Sequence, residues 1–129
     1  MRTNLGLTAV LAVALLALSG CGQQGGQSLA RQACVHVHRS VEDYTRSSRP
    51  DVPAATVALL RNEADGQLRA ALPLAAAANS DDGSWNSLMT TISESATIDE
   101  GHLVPALVAQ CAVADTNVNI NPSSPSSGG

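Results

Sequence analysis

Apolar residues recur at every third or fourth position in four segments of this 129-residue chain. That spacing places them on one face of an α-helix. The sequence therefore predicts an all-α fold, a small bundle of about four short helices. The four apolar stripes are Ala30, Cys34, Val37, Val41, Tyr44; Val57, Leu60, Ala64, Leu68, Leu72; Trp85, Leu88, Met89, Ile92, Ala96; and Leu103, Leu107, Val108, Cys111, Ala114.

Prolines and a capping residue indicate where the first two helices end and begin. Pro50 should end the first helix, and Asp51 can act as the N-cap of the second. Pro53 would then lie in the first turn, where its missing N–H costs nothing. Pro73 should kink or break the second helix and leave residues 74–78 as a short continuation.

Acidic turns precede the third and fourth helices. Residues 79–83 read as a loop with a built-in N-cap, and residues 99–101 as a further turn. Pro105 is tolerated only if it lies in the first turn of the fourth helix. The chain has one Trp, one Tyr and no Phe, so Trp85 is the bulkiest residue available to the core. We expect it to close one end of the bundle.

The first 21 residues form a separate unit. Arg2 precedes a short apolar run over residues 5–18, and small residues lead into Cys21. This arrangement is typical of a secretory signal and is too short for a transmembrane helix. The motif Leu18-Ser19-Gly20-Cys21 resembles the lipobox of bacterial lipoproteins. The resemblance implies that residues 1–20 are removed and that Cys21 carries the lipid, of the palmitate type, that anchors the protein to the extracytoplasmic face of the cell membrane. In layout, the remainder is similar to small helical lipoproteins of GC-rich, actinobacterial-type bacteria, which implies no particular function.

The three cysteines divide into one lipidation site and one pair. With Cys21 assigned to lipid, Cys34 and Cys111 remain in an exported, oxidising compartment, and we expect them to form a disulfide. Closing so long a loop would stabilise the fold by about 4 kcal/mol. Two buried free thiols are the alternative.

The prediction divides the chain into four parts. The signal peptide covers residues 1–20, and a lipidated, flexible Gly/Gln-rich tether covers residues 21–27. The helical domain covers residues 28–116. A disordered Pro/Ser/Gly-rich tail covers residues 117–129.

The charge pattern bears on the partners. The net charge is −4 and the chain has no lysine, which argues against nucleic acid as a partner. The first helix is mildly basic, and its cationic residues could form a docking face for an anionic envelope component or an ordinary solvated face. These residues are Arg31, His36, His38, Arg39, Arg46 and Arg49.

Two groups of residues resemble metal sites. On a strand, Cys34, His36 and His38 would share one face and could bind a soft metal, but a helix points successive members about 200° apart. The acids of residues 79–83 lack the spacing of a calcium loop and suit helix capping. The chain has no recognised catalytic motif. We therefore predict no metal, no cofactor and no enzymatic activity.

The function expected from these features is a binding or interaction module at the cell envelope. Its anchor is the lipid on Cys21, and its partner is an envelope protein. The alternative is a carrier of a small apolar ligand or lipid between the helices, favoured if the Ala-rich second helix leaves a cavity.

Overall fold

The computed structural model describes residues 24–116. Within that range it contains four α-helices and one short 3₁₀ turn, in agreement with the all-α prediction. The helices are α1 (Gln24–Ser47), α2 (Ala54–Asp81), α3 (Asn86–Glu94) and α4 (Glu100–Thr116), and the 3₁₀ turn spans Gly83–Trp85. Cys21, the predicted signal segment and the predicted tail over residues 117–129 lie outside the described residues.

The helices pack as a ring in which neighbours run antiparallel. α1 contacts α2 and α4, and α3 also contacts both α2 and α4. The first turn of α1 meets the last turn of α2, while Arg31 of α1 lies beside Ala114 near the end of α4. At the other end of the bundle, Tyr44 of α1 meets Asp99, just before α4.

Small side chains bring α1 and α2 together, and larger ones fill the remaining core. Buried alanines on both helices allow close approach, because little side-chain volume separates the two backbones. Trp85 is only 7% exposed, so the prediction that it is a core residue is confirmed. The core comprises Ala30, Ala33, Cys34, Val37, Leu68, Ala71, Ala75, Ala78, Trp85, Leu88, Ile92, Leu103, Leu107, Cys111 and Ala114.

The predicted disulfide is present. Cys34 and Cys111 are bonded, with 5.5 Å between their Cα atoms, and both side chains are fully buried. The bond joins α1, which begins the described part of the chain, to α4, which ends it.

The start of α1 differs from the expected flexible tether. Residues 24–27 are helical, so the helical part begins four residues before the predicted boundary. A Cβ at Gly26 would lie 3.1 Å from both the Ala78 carbonyl oxygen and the Asp82 Cβ. The glycines therefore serve close packing of two helix ends, whereas the sequence suggested that they confer flexibility.

Helix α2 differs from the prediction at its start and at Pro73. Pro53 occupies the N-cap position and no side chain caps the helix, so the prediction of Asp51 as N-cap was wrong. The helix continues without interruption past Pro73 to Asp81. Proline has no N–H, so one carbonyl of the preceding turn has no helical hydrogen-bond donor. Pro73 is exposed, so water can satisfy that carbonyl.

Helix α4 also continues through a proline, Pro105. The helix begins at Glu100, so Pro105 lies beyond its first turn, contrary to the prediction. Pro105 is also exposed. Two stripe members are exposed as well: Val108 on α4, and Ala96, which follows the end of α3.

Candidate functional site

Cys34, His36 and His38, which could share a metal only on a strand, take part in three different interactions. Cys34 is in the disulfide. His36 Nδ1 lies 2.7 Å from Oε1 of Gln67 on α2, while His38 Nε2 lies 3.1 Å from Oδ2 of Asp115 on α4. The two imidazoles therefore point to opposite sides of α1, as helical geometry requires. Among residues 24–116, no group of three or more His, Cys, Asp or Glu side chains is placed to hold a metal ion.

The basic face of α1 is partly committed to structural contacts. Arg31 Nε donates a hydrogen bond of 3.1 Å to the carbonyl oxygen of Ala114 in the last turn of α4. Carbonyls at a helix C-terminus carry negative partial charge, so this contact stabilises the end of α4. Arg46 pairs with Asp43 at 3.5 Å. Arg39 and Arg49 are exposed.

Two of the acids predicted to cap helices, Asp82 and Asp99, do so. Asp82 accepts a hydrogen bond of 3.0 Å from the Ser84 backbone N–H at the start of the 3₁₀ turn. Asp99 Oδ1 accepts one of 2.9 Å from Gly101 N in the first turn of α4. These contacts satisfy helix N–H groups that otherwise lack intrahelical partners.

A polar cluster beside the first residue of α4 was not predicted from the sequence. Ser40 of α1 is fully buried, and its Oγ lies 2.8 Å from the Ala64 carbonyl oxygen of α2 and 2.6 Å from Glu100 Oε1 of α4. One hydroxyl thus connects three helices. The only sequence signal was position, because Ser40 lies three residues after Val37 on the buried side of α1.

The environment of Glu100 favours its neutral form. Burial raises the pKa of this carboxyl, and the nearby carboxylates of Asp65, Asp99 and Asp43 raise it further, while the hydrogen bond from Ser40 opposes the shift. Ser40 has one proton for two acceptors. A neutral Glu100 can donate its own proton to Ser40 Oγ, so that Ser40 donates to Ala64 and both contacts are satisfied.

Tyr44 and Asp99 extend this cluster to the surface. The Tyr44 hydroxyl donates a 3.0 Å hydrogen bond to Asp99 Oδ1, and Arg61 lies over the Tyr44 ring with its Cζ 5.5 Å from the ring centroid. A Cβ at Gly101 would collide with the Tyr44 hydroxyl, so any larger residue there would displace the Tyr44 side chain. The pKa of Asp99 is lowered, first by the Gly101 N–H and then by Tyr44. Burial and the contact with Asp99 raise the pKa of Tyr44.

A surface cleft of about 200 Å³ lies beside these groups. Ser40 Oγ and Glu100 Oε1 are 2.6 Å apart, a separation that would suit a nucleophile and its base. However, Ser40 is fully buried, so a substrate cannot reach its hydroxyl. The cluster therefore acts structurally, because it holds the first turn of α4 against α1 and α2. The cleft is lined by Tyr44, Arg61, Asp65, Leu68, Ser95, Ile98, Asp99 and Glu100.

Helix α4 has an exposed apolar side that we call the outer α4 face. From Leu103 to Ala114 the helix carries no charged residue. Val108 is 45% exposed and Val113 is 54% exposed, although both are large and apolar. The outer α4 face consists of Pro105, Ala106, Val108, Ala109, Ala112 and Val113, all exposed.

Comparison with protein-family models, with curated proteins and with solved structures gives no match for this chain. Within residues 24–116, no helix is long and apolar enough to cross a membrane.

Proposed function

We propose that the protein is an extracytoplasmic lipoprotein, anchored to the cell membrane through acylated Cys21, that acts as a binding or interaction module at the cell envelope. The observation that carries this proposal is the buried Cys34–Cys111 disulfide. Such bonds persist in oxidising compartments outside the cytoplasm. The bond also occupies two of the three cysteines, which leaves Cys21, at the end of the lipobox-like motif, for lipid.

The distribution of polar groups supports a binding module. The Ser40–Glu100 contact is partly buried, and both histidines of α1 are paired with neighbouring helices. The outer α4 face, in contrast, is exposed and apolar, as expected of an interaction surface.

The carrier alternative has less support. It requires space beside the Ala-rich helix α2, but Ala71, Ala75 and Ala78 are fully buried in the core cluster. A second surface cleft, of about 340 Å³, is lined by Gly25, Leu29, Ala77, Ser80 and Asp81 and is open to solvent. An acyl chain enclosed between helices would need a more enclosed site.

Acylation can be tested directly in a bacterium that processes lipoproteins. The full chain and its Cys21→Ser variant are expressed with an alkyne-labelled fatty acid, and labelling, detergent partitioning and intact mass are measured. The wild-type chain should be cleaved before Cys21, labelled and recovered in the detergent phase. Cys21→Ser should lose the label and either remain uncleaved or be released as soluble protein. Ser28→Ala, which changes an exposed residue nearby, serves as the matched control. Detergent partitioning of Cys21→Ser like that of wild type would overturn the anchor.

The interaction module is tested by crosslinking on intact cells. A stoichiometric protein partner supports the proposal, whereas lipid that co-purifies in its place supports the carrier. Crosslinking of the Cys21→Ser variant shows whether the partner depends on membrane attachment.

A further inference from the structure

The outer α4 face is an apolar surface that the fold leaves uncovered. A helix that is apolar on all sides is normally surrounded by protein or lipid. Here α1 and α3 cover one side of α4, where Leu103, Leu107, Cys111 and Ala114 are buried. The opposite side, which includes Val108 and Val113, remains exposed.

The short connection between Cys21 and α1 limits what can cover this face. Helix α1 begins at Gln24, and three residue steps reach at most about 11 Å even when fully extended. A lipid on Cys21 therefore keeps the start of α1 at the bilayer surface. The end of α4 lies close by, because Ala114 contacts Arg31, seven residues or about 10 Å along α1 from Gln24.

Charge favours the outer α4 face, and not the bundle end nearest Cys21, as the surface that meets the bilayer. The side chains of Asp81 and Asp82 lie against Gly25 and Gly26, at the bundle end nearest Cys21. A bilayer that contains anionic lipid repels these carboxylates, so the domain is not expected to stand on this end. No residue of the outer α4 face is charged, and the exposed Asp115 that follows the face is paired with His38 Nε2 at 3.1 Å.

We infer that the outer α4 face is the surface by which the anchored domain rests on the lipid bilayer. This inference depends on the proposed acylation of Cys21. The face consists of Val, Ala and Pro without an aromatic residue, so it binds lipid weakly by itself. The anchor makes the contact effective, because it converts binding into an intramolecular event.

The test uses the chain from Cys21 to Gly129 with its disulfide intact, coupled through the Cys21 thiol to a maleimide lipid. The vesicles contain phosphatidylcholine and phosphatidylglycerol, with or without bromine on the acyl chains. Val113→Trp places a fluorescent reporter on the outer α4 face. Leu59→Trp is the matched control, since Leu59 is 57% exposed on α2 and Val113 is 54% exposed. Trp85 is retained, and the signal of the unsubstituted chain is subtracted.

Brominated lipid should quench Val113→Trp severalfold more than Leu59→Trp, and neither protein should bind vesicles when the maleimide lipid is omitted. Equal quenching at the two positions would overturn the inference. So would a concentration-dependent blue shift of Val113→Trp without vesicles, because that result assigns the face to a second copy of the chain. Circular dichroism confirms that both variants are folded.

This result is separable from the test of acylation in cells. The maleimide replaces the cellular acylation, so weak quenching of Val113→Trp overturns the inferred surface even when Cys21 is acylated in cells. Absence of acylation in cells overturns the proposed function and leaves the vesicle result unchanged.

Discussion

Loss of the Cys34–Cys111 disulfide should greatly destabilise this domain. The two cysteines are separated by 77 positions, and restricting a loop of that length in the unfolded chain stabilises the fold by about 4 kcal/mol. Domains of this size have total stabilities of about 5–15 kcal/mol. At roughly 4–8 °C per kcal/mol for a domain of this length, the melting temperature should fall by about 16 °C or more.

The assay is thermal unfolding followed by circular dichroism, with and without reductant, on the chain from Cys21 to Gly129. A Cys34→Ala/Cys111→Ala double variant provides the control, because reductant should not change its melting temperature. Both sites are fully buried, so the double variant should melt no higher than the reduced wild type. A fall of only a few degrees on full reduction, verified by alkylation and intact mass, would refute the reasoning.

Three further predictions concern a carboxyl, an aromatic residue and two glycines. The pKa of Glu100 is raised in the folded state, so its contribution to stability is complete below the unfolded pKa of 4.5 and is lost as the pH rises through the folded pKa. Glu100→Gln should therefore flatten the pH dependence of the free energy of unfolding in urea across this window. An unchanged pH dependence would contradict the assignment. Trp85→Ala should cost about 3–5 kcal/mol in denaturant unfolding, and Trp85→Phe much less, because the buried indole N–H has no acceptor among the described residues. Gly66→Ala should stabilise by about 0.5–1 kcal/mol, since nothing lies within 4 Å of an added Cβ. Gly26→Ala should be destabilising in the same assay, and equal effects at the two glycines would contradict the close helix packing.

The sequence predicted the core well because burial in a helix follows the 3.6-residue repeat. Fifteen residues form the core cluster, and the predicted stripes include most of them. The missed members, such as Ala33 and Ala71, lie beside the stripes on the helix surface. Alanine contributes little hydrophobic contrast, so its burial depends on how closely two backbones approach, which a single helix does not reveal.

Helix boundaries were harder to predict because their determinants are tertiary. Pro73 and Pro105 both lie inside helices, and both are exposed. A proline is tolerated there because water can satisfy the carbonyl group that it leaves free. Gly25 and Gly26 looked like tether residues, yet they pack against the end of α2. Neither outcome follows from local propensity.

The position of Ser40 on the buried side of α1 was the only sequence signal for the Ser40–Glu100 contact, whose members lie 60 positions apart. Each residue is ordinary in its own segment: a serine within a helix and an acid in a first turn. Their contact depends on the crossing of α1, α2 and α4. The disulfide is the exception among the long-range contacts, because the predicted assignment of Cys21 to lipid left only one possible pair of cysteines.

The disulfide also determines how firmly α4, which carries the outer α4 face, is held in the bundle. An apolar surface that is kept exposed for a partner or a bilayer contributes nothing to the stability of the free domain. Helix α4 contacts only part of the bundle through Leu103, Leu107 and small residues. The covalent bond at Cys111 and the Glu100 contact with Ser40 hold α4 in place at two points along its length. We therefore expect reduction to increase hydrogen exchange in α4 more than in α2, which packs closely along α1. Equal increases in the two helices would show that the bond stabilises the whole bundle and not α4 in particular.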